Sequence, residues 1–69
     1  MALVDRGTRY IVDILPGDWV WNPYLSSWVR VASVELATGN GWWEVVDEAG
    51  RMMVVAPGCR VRVAVEVLD

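Results

Sequence analysis

Tryptophan is the residue type through which this chain is best equipped to recognise another molecule. The 69 residues include five tryptophans and two tyrosines, and four of the tryptophans form close pairs, Trp19 with Trp21 and Trp42 with Trp43. Each indole buries about 150–250 Å² when packed, and each needs a partner for its N–H group. A core this small has no room for all five rings, so we expect at least two of them to be partly exposed.

The exposed rings are expected to gather near the first long loop, residues 22–27. Neighbouring residues of a strand point to opposite faces, so Trp19 and Trp21 point outward if Val20 points into the core. The predicted partner-binding residues are Trp19, Trp21, Tyr24, Trp28 and Trp42. An aromatic wall of this kind suits a proline-rich peptide, a methylated cation or a stacked base. The alternative is that half-exposed rings only close the open end of the core.

All six basic residues are arginines, and four of them are expected on outward strand positions. The candidates for contacts to phosphate or carboxylate groups are Arg30, Arg51, Arg60 and Arg62. The alternative is a solvated face on which these arginines pair with Glu35, Glu44 and Glu66 of neighbouring strands. The net charge of −3 lacks the basic footprint that a nucleic-acid-binding protein is first expected to carry.

The residues give little support to catalysis. The chain has no histidine, so Ser-His and Cys-His nucleophile pairs are excluded within it. Its single cysteine, Cys59, can form no disulfide within the chain and is interpreted as a small buried residue. The carboxylates of Asp13, Asp18, Asp47 and Glu48 could serve an acid pair or a cation, but acids in turns are typical of local backbone bonding. We predict a non-enzymatic protein with no metal and no cofactor.

The elements that position these side chains are expected to be short strands. Valine-rich and tryptophan-rich runs lie between closely spaced Gly, Pro, Asn and Asp residues, a pattern typical of a small all-β domain. Residues 60–67 alternate valine with Arg, Ala or Glu, which predicts a half-buried strand with four valines on one face. Residues 8–15 predict another strand, on which Tyr10, Val12 and Ile14 share a face.

The run of residues 28–37 predicts a strand whose hydrophobic pattern changes parity part-way along it. A bulge or bend near Ala32 and Ser33 would keep the hydrophobic residues on both sides of it inward. Those residues are Val29, Val31, Val34 and Leu36. The sequence therefore predicts one bent strand here.

Glycine and proline mark the connections between the strands. Residues 38–41 predict a hairpin turn, and residues 47–50 predict a tight turn with Gly50 in a left-handed conformation. Pro57 and Gly58 break the chain before the last strand. Residues 1–69 are expected to be a single domain, with residues 1–7 as a flexible arm. No apolar run approaches the roughly 18 residues that span a bilayer, so no membrane partner is expected.

This order of strands resembles the SH3-like small β-barrel superfamily, in the broad sense that includes Tudor-type and KOW-type domains. The resemblance is carried by residues 17–20, which open the barrel, by the meander over residues 28–55, and by Pro57 and Gly58 before the last strand. It implies a small antiparallel barrel of five to six strands. The chain break at Pro57 and Gly58 predicts at most a single 3-10 turn there.

We predict a binding module that contacts a protein or peptide partner through its aromatic surface and that associates into a homo-oligomer. Arginine without lysine, together with many Val, Ala, Gly and Trp residues, is typical of a GC-rich genome. We therefore expect a small stand-alone accessory protein of a high-GC bacterium or its phage, located in the bacterial cytoplasm. Two alternatives stay open. One is nucleic-acid or nucleotide binding through tryptophan stacking and arginine–phosphate contacts, and the other is a structural subunit of a phage particle.

Overall fold

The computed structural model describes residues 2–37, 39 and 41–68, and its regular structure is almost entirely β-strand. The elements are β1 (Ala2–Tyr10), a 3-10 turn (Ile11–Asp13), β2 (Trp19–Asn22), β3 (Ser27–Leu36), β4 (Trp43–Asp47), β5 (Met52–Val55) and β6 (Arg60–Val67). All strand pairs are antiparallel, in the order β1-β6-β2-β3-β4-β5. The predicted all-β antiparallel class with six strands is confirmed. Over the described ranges, the fold includes no helix with the length and apolar character needed to cross a membrane.

The sheet is open, which differs from the predicted closed barrel. β1 and β5 are the two edge strands of the sheet, and no pairing between them closes it in the described residues. The 3-10 turn also lies at Ile11–Asp13 and not near Pro57. Residues 56–59 instead form a reverse turn, in which the Cys59 N–H donates to the Ala56 carbonyl at 3.2 Å. The resemblance to SH3-like domains stays a prediction.

The bend of β3 lies where the change of parity predicts it. The register with β4 shifts between Val31, which faces Asp47, and Ser33, which faces Val46. Val29 and Val31 are buried, and Val34 packs against the core from the other side of the bulge. The prediction for Leu36 is wrong, because its side chain is exposed. Leu36 lies opposite Trp43 at the end of the β3–β4 pair, and Trp43 is the member of that pair that packs against the core.

The core is a single thin cluster of aliphatic side chains and one methionine. Its buried members are Ile11, Ile14, Val20, Val29, Val31, Val45, Met53, Val55 and Val63. The predicted strand over residues 8–15 is wrong beyond Tyr10, where the chain enters the 3-10 turn. The turn brings Ile11 and Ile14 into the core together and leaves Val12 exposed, because residues three apart lie on one side of such a turn.

The last strand has the predicted bounds, but only part of its valine face is covered. Val63 is buried, whereas Val65 and Val67 are exposed. β2 pairs with β6 only at Val63 and Ala64, so beyond these residues β6 forms a two-stranded ribbon with β1. Of the predicted flexible arm over residues 1–7, residues 2–7 are instead part of β1. Residues 2–5 pair with residues 64–67 at the end of β6, and the register shifts between Asp5 and Thr8.

Two of the predicted turns connect β3 with β4 and β4 with β5. The predicted hairpin turn at residues 38–41 includes Thr38 and Asn40, which lie outside the described residues. The predicted turn at residues 47–50 is confirmed: Gly50 has a φ of 84°, and its N–H donates to the Asp47 carbonyl at 2.9 Å. Glycine adopts this left-handed conformation without the steric cost that a side chain would add.

Candidate binding groove

A groove of about 390 Å³ opens beside the end of β2 and the end of β5. In the part of the chain that the structure describes, β2 pairs with β6 only through Trp19 and Val20, so the pairing ends just before Trp21. Trp21, Tyr24 and Trp42 form the aromatic wall of the groove. The rest of the lining comes mainly from residues 53–55 of β5, from Ala56 and from residues 59–62. The groove therefore lies where the sheet divides, between aromatic rings and the start of the last strand.

Trp21 is held in place by its neighbours on the outer face of the sheet. Its ring lies opposite Trp28 in a T-shaped arrangement, with centroids 5.3 Å apart and an interplanar angle of 75°. The Arg62 guanidinium lies 5.4 Å from the Trp21 centroid and 5.5 Å from that of Trp28. Arg62 also forms an ion pair with Asp5 on β1. These contacts join four strands and fix one wall of the groove.

The structure brings together three of the five predicted partner-binding residues. Trp21, Tyr24 and Trp42 line the groove, whereas Trp28 packs behind Trp21. Trp19 and Trp28 together line another depression of about 200 Å³, and Trp19 also borders a separate depression of about 240 Å³. There its indole Nε1 donates to Oε1 of Glu66 at 2.7 Å.

The exposure of the rings agrees with the limited size of the core. Trp42 is 41% exposed and Tyr24 is 79% exposed, whereas the other four tryptophans are half-buried. Trp43 is the tryptophan that packs against the buried core cluster. The expectation that at least two indoles are partly exposed is confirmed.

The four predicted arginines divide into two pairs on different parts of the surface. Arg60 and Arg62 line the groove, whereas Arg30 and Arg51 line another depression beside Glu48. Arg30 lies 3.9 Å from Glu48 and 4.0 Å from Glu66. Glu66 was predicted as an arginine partner, but β2 separates its strand from that of Arg30, so the two are not on neighbouring strands as predicted. The other acids that pair with arginine are ones to which the sequence analysis did not assign this role.

Asp5 and Asp47 pair with arginines that the sequence analysis did not predict as their partners. The hydrogen bond from the Arg62 guanidinium, with a second from the Gly7 N–H, holds the pKa of Asp5 below its ordinary value. Burial raises the pKa of Asp47, but hydrogen bonds from the backbone N–H groups of Arg51 and Ala49 and from the Arg51 guanidinium outweigh burial and lower it overall. Both carboxylates are therefore charged at neutral pH.

Cys59 is a groove residue that the sequence analysis interpreted differently. The prediction that it is buried is wrong, because its thiol is exposed and lines the groove. It follows the turn at Pro57 and Gly58 directly, so it lies at the surface where the chain re-enters the sheet. The signal for this exposure in the sequence was the turn at Pro57 and Gly58 directly before Cys59.

The turn carboxylates make local backbone bonds. Oδ2 of Asp18 accepts from the Leu15 N–H at 2.9 Å, and Oδ1 of Asp47 accepts from the Ala49 N–H at 2.9 Å. Among the residues that the structure describes, no three His, Cys, Asp or Glu side chains are grouped so that they could hold a metal ion. These acids are thus accounted for by the turns that they stabilise.

Comparison with known proteins identified no relative of this chain. A scan against protein-family models, a search of curated proteins and a search of solved structures each found no match. No ligand or activity is therefore transferred to this chain from a relative, and its function is inferred from its own side chains.

Proposed function

We propose that this protein is a non-enzymatic binding module whose groove holds an extended segment of a protein or peptide partner. The observation that carries this proposal is that Trp21, Tyr24 and Trp42 line one groove of about 390 Å³. Aromatic rings offer a large apolar contact area and lose little side-chain freedom on binding. A groove of this size accepts several side chains of an extended segment.

Contacts within the protein hold two parts of the aromatic wall of the groove. Trp21 is held by Trp28 and Arg62, and the Tyr24 loop is held by Asn22, which is buried. Oδ1 of Asn22 accepts from the Tyr24 N–H at 2.9 Å and from the Leu25 N–H at 3.3 Å. A site that is already ordered spends less of its interaction energy on fixing side chains, so this arrangement supports specific binding.

Nucleic-acid or nucleotide binding has weaker support as an alternative. Arg30 and Arg51 do not line the groove, and both lie within ion-pair distance of carboxylates. A polyanion gains affinity by placing several phosphates against several cations, and the net charge of −3 opposes it. The aromatic rings of the groove are equally suited to apolar and proline side chains.

Tyr24→Ala is expected to weaken the binding of groove-directed peptides about tenfold, because truncation removes one of the three rings of the aromatic wall. Its effect on the free energy of unfolding is expected to stay within about 0.5 kcal/mol, since Tyr24 is 79% exposed. Peptides are first selected on the wild-type protein from a random display library. Their Kd values for both proteins are then measured by fluorescence anisotropy.

Leu15→Ala is the matched control for this experiment. Leu15 is also a large exposed side chain, 64% exposed, but it lies outside the groove. The control is expected to bind the selected peptides as the wild type does. A library that yields no enriched peptide, or a Tyr24 variant that binds as tightly as the control, would contradict the proposal.

We also propose that two copies associate through the ribbon of β1 and β6. Ala2 and Val4 lie opposite Val67 and Val65 on one face of the ribbon, and the described residues leave all four exposed. This face continues the buried face of Val63, and none of these side chains carries a charge. Two such faces can therefore pack together about a two-fold axis without burying an unpaired charge.

Native mass tests the self-association. Sedimentation equilibrium is expected to give twice the 7.7 kDa chain mass for the wild type at micromolar concentration. Val65→Lys is expected to give the mass of one chain, because it places a charge in the proposed contact. Val12→Lys, at an exposed position in the 3-10 turn, is the control and should associate as the wild type does. A wild type of single-chain mass would refute the contact, and a large fixed assembly would favour the phage-particle alternative.

A further inference from the structure

The charge of the groove is opposite to the charge of the protein. The chain carries nine acidic and six basic residues, yet the charged side chains that line the groove are Arg60 and Arg62. No carboxylate of the described residues is part of the lining. The positive charge beside the aromatic wall is therefore local to this groove, because the chain as a whole is acidic.

The two arginines differ in what already binds them. Arg62 forms an ion pair with Asp5 and lies over Trp21 and Trp28. Arg60 lies over the ring of Tyr10, with its guanidinium carbon 4.7 Å from the ring centroid. Within the described part of the chain, no carboxylate comes within ion-pair distance of Arg60. A guanidinium that uses its face against a ring keeps its in-plane N–H donors available.

We infer that the groove selects partner segments in which an aspartate or glutamate stands beside apolar residues, with Arg60 binding the carboxylate. This inference rests on the proposed function and specifies the chemistry of its ligand. The guanidinium fork matches the two oxygens of a carboxylate, and the contact with Tyr10 limits the side-chain freedom lost on binding.

A carboxylate fits this charge arrangement better than a phosphate chain does. One arginine of the groove has no acidic partner among the described residues, and the other is shared with Asp5. A single negative side chain is satisfied by such a pair. A polyanion would need further cations nearby, and the protein as a whole would repel it.

The test begins with peptides selected from a random display library on the wild-type protein. Aspartate or glutamate is expected to be enriched beside apolar or aromatic residues in the selected set. Each selected acidic peptide is then compared with its Asn or Gln counterpart by fluorescence anisotropy. We expect the amide peptide to bind about tenfold more weakly, because it loses the charged hydrogen bonds to Arg60.

The Arg60→Gln variant assigns that preference to one side chain. It is expected to bind the acidic peptide about tenfold more weakly than the wild type and to bind acidic and amide peptides alike. Arg9→Gln removes the same charge from β1, outside the groove, and should keep the wild-type preference. A preference that falls equally in both variants would show that long-range charge causes it, which would overturn the role of Arg60.

The remaining outcomes separate this inference from the proposed function. Selected peptides without enrichment of acids, bound equally as acid and amide, would overturn the inference and leave the peptide groove intact. A library that yields no peptide on the wild type would overturn the proposed function itself. A short oligothymidylate that binds more tightly than every acidic peptide, and loses that binding in Arg60→Gln, would assign the site to phosphate and overturn the carboxylate.

Discussion

Asp47→Ala is expected to lower the free energy of unfolding by about 2–3 kcal/mol. Asp47 is 4% exposed, and its Oδ1 accepts from the N–H groups of Ala49 and Arg51 at 2.9 and 3.0 Å. Its Oδ2 accepts from Nε of Arg51 at 3.2 Å. Alanine removes the acceptor and leaves these donors without it. A core of this size supplies roughly 3–5 kcal/mol in total, so the variant is expected to be largely destabilised.

The Asp47→Ala substitution is expected to destabilise more than the turn at residues 47–50, because Asp47 also contacts the strands beside it. Its N–H donates to the Arg51 carbonyl, and its carbonyl accepts from Gly50, both at 2.9 Å. It also lies opposite Val31, just before the bulge of β3. The turn thus holds the register of β3, β4 and β5, which contribute five buried core side chains. Urea unfolding followed by tryptophan fluorescence measures the effect.

Asp47→Asn separates the charge from the hydrogen bonds. Asparagine keeps an oxygen for the two backbone donors but loses the ion pair with Arg51. The folded-state pKa of Asp47 is lowered, so its stabilisation is present above the ordinary aspartate value of about 3.9 and is lost as the pH falls through the lower folded value. The stability gap between wild type and Asp47→Asn is therefore expected to narrow below about pH 4.

Asp13→Ala is the control for both substitutions at Asp47. Asp13 is an exposed acid in the 3-10 turn, and its removal is expected to change the free energy of unfolding by no more than about 0.5 kcal/mol. An Asp47→Ala variant as stable as this control would show that the turn does not depend on the carboxylate. If the difference in free energy of unfolding between wild type and Asp47→Asn does not change with pH, the charge of Asp47 does not contribute to stability.

Alkylation of Cys59 with a bulky maleimide is expected to weaken peptide binding about 100-fold. The thiol is exposed and lines the groove, whose volume of about 390 Å³ such an adduct would largely fill. The chain has one cysteine, so the product is a single adduct that mass spectrometry can verify. Binding of the library-selected peptides is then measured by anisotropy before and after the reaction.

Cys59→Ser provides the control for the alkylation. It is expected to bind peptides as the wild type does and to be unaffected by the reagent, because serine does not react with maleimide. Alkylated wild type that still binds with unchanged Kd would place the peptide elsewhere on the surface. The aromatic groove would then lose its assigned role, whatever the effect of Tyr24→Ala.

Several strand features were predictable because they depend on local alternation. The valines at alternate positions of residues 60–67 predicted β6 with its observed bounds, since side chains of a strand alternate between two faces. The change of parity predicted the bulge beside Ser33. Alternation also predicted that Val12 and Val65 share a face with buried residues, but both side chains are exposed. Burial depends on which other strand covers that face, and this is not determined by the local sequence.

The sequence predicted which residue types would line a binding groove, but it did not predict all of the individual residues that line it. A small core cannot enclose five indoles, which correctly indicated exposed rings. Trp19 and Trp21 share a strand and a face, yet only Trp21 borders the groove, because β2 leaves its pairing with β6 between them. Arg62 was predicted on an outward strand position, whereas its contacts with Trp21 and with Asp5 were not predicted. Contacts between residues so distant in the chain carry no local signal.

The amino-acid sequence by itself determined the all-β class, the bounds of β6, the bulge in β3 and the surplus of aromatic rings, because alternation, turn residues and side-chain volume are local quantities. The tertiary structure alone decided that the sheet stays open, that the end of β6 leaves the core with β1, and that Trp21, Tyr24 and Trp42 meet beside Arg60. Those outcomes depend on which strand edges pair, and edge pairing is a competition among all strands of the chain.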